Sequence, residues 1–219
     1  LTRADQDVER PQRGLSRKHG DITRAAREVF GRVGYLMASI DMIASEAGVS
    51  TRTIYNHFDN KEHLFAAVVT ESSRRVVQAH EAIIERHLSD VTDAETALVE
   101  LARTWVRPLP EFVDHFAIVR RINAEHDHFP RELFEAWQEA GPRRVQRTLA
   151  ARMAAMHDRG LLRAEDPHFA AHHFAVLLNA TLAARARDAG RELGEAELDE
   201  VAEEVVRAFL YGYLPPAER

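Results

Sequence analysis

Residues 39–61 read SIDMIASEAGVSTRTIYNHFDNK, and their spacing decides the fold of the N-terminal part. Ile40, Ile43, Ala44 and Ala47 recur at i, i+3, i+4 and i+7, one apolar face of a short helix. Gly48 supplies a residue able to leave that helix at positive φ. Val49 turns back toward the core, and Ser50 can cap a new helix starting at Thr51. On that second helix Ile54 and Phe58 form the buried side, whereas Thr51, Arg52, Thr53, Tyr55, Asn56 and His57 occupy the other faces. Two short helices across a glycine turn, the second rich in hydrogen-bonding side chains, make a helix-turn-helix. Its second helix is the one that would enter a DNA major groove.

Upstream, Ile22, Ala25, Ala26, Val29, Phe30 and Val33 form an amphipathic face that Gly34 closes before Tyr35. Residues 1–16 mix Arg, Asp, Gln, Pro and Gly and read as a flexible arm. Arg10, Arg13, Arg17 and Lys18 can reach DNA, but Asp5, Asp7 and Glu9 offset them, which favours a solvated tail. Downstream, Asn60 can cap a long helix in which Leu64, Phe65, Val68, Val76, Ala79 and Ile83 hold a helical period to about His87. Such a length suits a connector into a second domain.

From residue 90 the pattern stays helical. Thr92 and Glu95 have capping-box spacing ahead of Ala94, Ala97, Leu98, Leu101 and Trp105. Pro108 and Pro110 break that helix, and Phe112, Phe116, Val119 and Ile122 mark the next, ended near Phe129-Pro130. Leu133, Phe134 and Trp137 follow, then Gly141-Pro142 forces a break or kink before Val145, Leu149, Met153 and Met156. Asp166-Pro167 reads as N-cap and first helical residue, and a last helix carries Leu198, Val201, Ala202, Val205, Phe209, Leu210 and Tyr213. No two-residue alternation is sustained anywhere. The expectation is an all-α protein of about nine helices, with an arm at 1–16, a DNA-binding domain at 17–65 and a second helical domain at 66–219.

Phe30, Gly34, Tyr35, Ser39, Ile43-Ala44, Ala47-Gly48-Val49-Ser50, Ile54-Tyr55, His57-Phe58, Lys61-Glu62 and Leu64 together resemble the N-terminal signature of the TetR family of bacterial transcription regulators. The resemblance implies base-edge contacts from Thr51, Arg52, Thr53 and Asn56, and phosphate contacts from Ser39, Tyr55, His57 and Lys61, with Ser50 in the same DNA-binding set. The chemistry suits those roles: Arg grips a guanine edge bidentately, Asn an adenine, and a Thr methyl meets that of thymine. Tyr, Ser and Lys at helix ends suit phosphate oxygens, which set register without reading sequence. The resemblance also implies a homodimer through the last two helices, about 167–188 and 195–213, a palindromic double-stranded DNA operator, and a ligand pocket in the second domain.

Residues combining aromatic walls with polar handles are the pocket candidates: Trp105, Phe112, His115, Phe116, Asn123, His126, Phe129, Phe134, Trp137 and Phe174. Each aromatic fits plain core as well; as a set they favour a hydrophobic or aromatic small molecule. Among the twelve histidines, His168 and His172 have the i, i+4 spacing two imidazoles on one metal need, and His126 and His128 flank Asp127. No HExxH pattern accompanies them, and no metal or cofactor is expected.

Composition narrows the rest. The chain has 219 residues and no cysteine, which excludes disulfides, thiolate metal sites and a cysteine nucleophile. No run of eighteen or more apolar residues is present, so no membrane span is expected. The first twenty residues lack the apolar centre of a signal peptide, so a cytoplasmic location is expected, and Leu1 suggests that the gene product begins earlier. Net charge is −6, yet residues 1–65 hold ten Lys/Arg against nine Asp/Glu, so the acidic excess lies outside the helix-turn-helix part. The reading is a repressor that binds its operator as a dimer and is released by a small ligand. Two alternatives stand beside it: a constitutive DNA-binding activator or architectural protein, and an enzyme with a vestigial DNA-binding domain. Against the enzyme, no glycine-rich phosphate loop or GxSxG elbow is present and no convincing carboxylate pair on one helix face, and acidic runs such as Glu195–Glu204 read as exposed helix sides.

Overall fold

A computed structural model describes residues 3–125 and 129–213, with residues 3–16 described by their backbone alone. Among the described residues the chain is all helix: α1 (Arg3–Met37), α2 (Ile40–Ala47), α3 (Thr51–Tyr55), α4 (Lys61–Leu88), α5 (Ala94–Val106), a 3-10 turn (Pro110–Phe112), α6 (Val113–Ala124), α7 (Arg131–Ala140), α8 (Pro142–Asp158), α9 (Pro167–Ala189) and α10 (Glu195–Tyr213). The Gly141-Pro142 pair makes a full break between α7 and α8. Helix α1 starts at Arg3, so most of the stretch expected as an arm is helical backbone.

The chain packs as two units: residues 1–75 with 110–141, and residues 76–109 with 142–219. The first therefore recruits α6 and α7, which the sequence boundary at residue 65 assigns to the second domain. Helix α4 contributes residues 61–75 to the first unit and 76–88 to the second.

In the first unit, Ile22, Val29, Phe30, Ile43, Ile54, Leu64 and Val68 are wholly buried, joined by Ile118 and Ile122 of α6 and Trp137 of α7. An aromatic cluster sits among them: Phe65 meets Phe30 edge-on at 4.9 Å, Tyr35 at 5.0 Å and Phe129 at 5.4 Å. Edge-to-face rings each add about 0.5–1.5 kcal/mol beyond the area they bury.

The second unit is built from the end of α4 with α5, α8, α9 and α10 around Leu98, Leu101, Leu149, Met153, Phe174, Leu178, Val201 and Phe209. Helix α5 is capped by Asp93, whose carboxylate accepts from the Thr96 N–H at 2.8 Å, and not by Thr92 as the capping-box spacing implied. Both are capping residue types, but the helix starts at Ala94, so Asp93 holds the N-cap position and Thr92 lies one residue outside it. Asp166 caps α9 ahead of Pro167 as expected, accepting from the Phe169 N–H at 3.0 Å. Charged pairs tie α8 to α4, Arg144 forking onto Glu81 at 2.9 Å, and α5 to α10, Arg103 onto Glu203 at 2.7 Å and Arg107 onto Asp199 at 2.8 Å.

Candidate nucleic-acid interface

The helix-turn-helix is assembled from three local devices. Ser39 caps α2, its Oγ accepting from the Met42 N–H at 3.2 Å. Gly48, at φ 64°, then ends the helix in the left-handed region that glycine adopts without penalty. Its N–H donates to Ser45 O at 3.3 Å and that of Val49 to Ala44 O at 3.0 Å, the two bonds of a Schellman stop. Ser50 starts α3, accepting from the Thr53 N–H at 3.1 Å.

Helix α3 is held from beneath by Ile54, fully buried, and by Phe58 just beyond it. Arg52, Tyr55 and Asn56 point to solvent, and Thr51, Thr53 and His57 are half-buried. The Thr53 hydroxyl shares a 2.9 Å hydrogen bond with that of Ser50. His57 packs beside Phe58 and, at 5.9 Å, beside His19 of α1. This second imidazole at the same edge escaped sequence reading, because no spacing relates the two.

Lys61 is held within the first unit. Its ammonium donates to Tyr35 O and Ala38 O, each at 3.1 Å, and lies 4.4 Å from the centre of the Tyr35 ring. The phenol of Tyr35 donates in turn to Glu62 at 2.7 Å. Burial first, and then this carboxylate, push the phenol up; the same bond holds the Glu62 carboxyl below the usual range. A long stem lets Lys61 reach backbone carbonyls that the end of α1 leaves without partners. Lys61→Ala is therefore expected to lower stability by about 1–3 kcal/mol, seen in a urea titration. The salt slope of DNA binding should stay at the wild-type value; a slope flattened by about one phosphate would instead mark Lys61 as a backbone contact.

The ten pocket candidates scatter. Phe129 belongs to the aromatic cluster of the first unit, and Phe174 is fully buried in the second, 5.3 Å from Phe209. Both are buried in the cores of their units. Asn123 is exposed, and His126 lies outside the described residues. Trp105 is in the second unit, edge-on to His80 at 4.8 Å. Five stay together in the first unit: Phe112 beneath the Arg75 guanidinium, His115 against Phe116 at 5.5 Å, and Phe134 against Trp137 at 5.4 Å. His115 also bonds the Ser72 hydroxyl at 3.0 Å. Next to it on α4, Ser73 is fully buried with no partner for its hydroxyl, and Trp137 has none for its indole N–H. No sequence motif singles out Ser72 and Ser73, although they interrupt an apolar face running Leu64, Phe65, Val68, Val69, Val76, Val77. A surface depression lined by Arg32, Asp41, Met42, Ser45 and Glu46 includes none of the candidates. Among the described residues no group of His, Asp or Glu is placed to hold a metal, and no helix is long and apolar enough to cross a membrane.

A helix-turn-helix with an outward-facing second helix, in a chain whose described residues form helices and no strand, fits a DNA-binding transcription regulator, and comparison with known proteins gives its family. Residues 22–68 match the family model described as bacterial regulatory proteins, tetR family, and residues 96–215 match that of the AefR-like transcriptional repressor C-terminal domain. The chain belongs to the TetR family. A TetR-family regulator from Mesorhizobium loti MAFF303099 has a similar structure, with 32% identity, a TM-score of 0.75 and coverage of 92% of this chain and 98% of that one. The flavonoid-responsive regulator FrrA follows at 29% identity and TM-score 0.70, covering 92% of this chain and all of its own. The transcriptional activator FasR of Mycolicibacterium smegmatis is 32% identical over 111 residues, 51% of this chain and 47% of FasR, so the chain spans about half the length of that relative. The transcriptional repressor AcnR of Corynebacterium efficiens is 26% identical over 147 residues, 67% of this chain and 70% of AcnR. These relatives regulate transcription, a class outside the enzymes.

Proposed function

We propose that the protein is a ligand-responsive repressor that binds a near-palindromic operator as a homodimer and is released by a small hydrophobic or aromatic molecule. The observation that carries the DNA-binding half is the division of labour on α3, where Ile54 and Phe58 bind the helix to its unit and leave Arg52, Tyr55 and Asn56 outward. Pairing is supported by the second unit. Helix α9 exposes Phe169, Val176 and Leu177, with Ala180, Ala183 and Ala184 along the same helix, and α10 exposes Tyr211. Large exposed apolar side chains on neighbouring helices are the kind of surface a second copy covers. An aromatic ligand is favoured by likeness to a flavonoid-responsive protein, and by Phe112, His115, Phe116, Phe134 and Trp137 standing in one unit with a buried, unpartnered Ser73 hydroxyl. Such a protein works in the cytoplasm, where its operator is.

Selection from random duplexes tests this. A palindrome should be enriched, bound in a salt-dependent way, and released by a pocket-sized aromatic compound; enrichment of a single half-site would rule out the dimer. On the selected operator, Arg52→Ala should cost about 1–3 kcal/mol at one base pair and relax preference there. Equal weakening on every duplex would mean that Arg52 holds a phosphate. Likeness to FasR, an activator, supports a second reading in which the bound protein promotes transcription. A reporter gene downstream of the operator separates the two by the sign of its response.

A further inference from the structure

Helix α1 breaks at Gly34, where φ is 83° and ψ 169°, and resumes as a single turn closed by the Ala38 N–H donating to Gly34 O at 3.2 Å. In an unbroken helix the Leu36 N–H would donate to Arg32 O, four residues back. The break separates the two groups, and each finds a partner at the C-terminal end of α6. Arg121 donates from Nη2 to Arg32 O at 2.7 Å, and Glu125 accepts from the Leu36 N–H through Oε2 at 3.3 Å. Arg121 in the last turn of α6 and Glu125, the residue that caps its end, supply a donor for the stranded carbonyl and an acceptor for the stranded amide. The Glu125 carboxyl fills the notch left by the missing side chain: a Cβ on residue 34 would lie 1.7 Å from its Oε1. Closer to the N-terminus of α6, Ala117 packs against Gly31 with 3.2 Å to the position of a Cβ there. The resumed turn leads straight to Ser39, the cap of α2.

We infer that Arg121 and Glu125 are positioning residues for operator reading: together they replace the missing hydrogen bond of α1, hold the kink at Gly34 open, and so aim α2 and α3. This rests on the reading that α3 contacts DNA. Neither residue need touch DNA, and α6 becomes a lever on the helix-turn-helix.

The test joins hydrogen exchange with operator binding in the full-length protein. In Glu125→Ala the Leu36 amide should exchange faster, α2 should lose protection with it, and affinity for the selected operator should fall about tenfold, the scale of losing one helix-capping acceptor. Its salt slope should not change, since no phosphate partner is lost. Glu125→Gln keeps an acceptor oxygen of the same reach and should restore binding and protection. Arg121→Ala should weaken the operator alike, again at constant slope, which separates holding the Arg32 carbonyl from touching a phosphate. Should Glu125→Ala unfold the first unit, Glu125→Asp, shorter by one methylene, provides the same comparison. Unchanged Leu36 exchange would overturn the clamp, and faster exchange with wild-type operator affinity would overturn its role in aiming the helices. Failure of the wild type to enrich any duplex would count against the DNA-binding reading, with exchange alone then deciding the clamp.

Discussion

Gly34→Ala is expected to destabilise the first unit by about 2 kcal/mol or more and to abolish high-affinity operator binding. The clash with Glu125 is the lesser part, because a carboxyl at the end of a flexible side chain can swing aside. The backbone has no such freedom. At φ 83° and ψ 169° residue 34 lies in a region that is essentially glycine's own, where a Cβ collides with the peptide groups on either side. Alanine would pull the residue toward helical angles, straighten α1 and carry Tyr35 away from Phe65 and Glu62. Urea unfolding followed by Trp137 emission, with Trp105→Phe as background so that only the first unit reports, gives the free energy. An unchanged midpoint would show that the kink carries no strain.

Phe129→Ala is expected to cost the first unit about 3–5 kcal/mol, the range for emptying a buried aromatic site. Its ring is enclosed by Tyr35 and Phe65, each at 5.4 Å, in the cluster that supports the kinked end of α1. A pocket wall predicts something different: a variant that folds and binds operator normally but responds poorly to ligand. The same urea experiment discriminates, with Phe134→Ala as the comparison. Phe134 is half-buried against Trp137, so its loss should cost distinctly less. Equal costs at the two positions would return Phe129 to the list of ligand contacts.

Both residues show where sequence reading ends. The helix-turn-helix was legible because its determinants are local: Ser39, Gly48 and Ser50 act within four residues of themselves, and Ile54 with Phe58 shows which side is inward. The all-helical class was legible from the apolar period alone. Partner choice over long separations was not. Phe129 and Trp137 are visibly apolar, but nothing in their neighbourhood says that they pack on the helix-turn-helix side of the chain and not with Phe174. Lys61 sits where a phosphate contact is expected; only three-dimensional proximity shows its ammonium occupied by the carbonyls of Tyr35 and Ala38. Glu125 gave no signal, because the amide it caps is stranded by a glycine far earlier in the chain.

Helix α3 has five residues, about 7.5 Å of helix. Ile54 anchors it, and Thr53 is tied back to Ser50, so the core asks nothing of Arg52, Tyr55 and Asn56. Those three can be exchanged as a cassette while the stability of the scaffold stays where it was. On the proposal that α3 reads the operator, an evolving lineage or a designer would reach new operators through very few mutations at these positions.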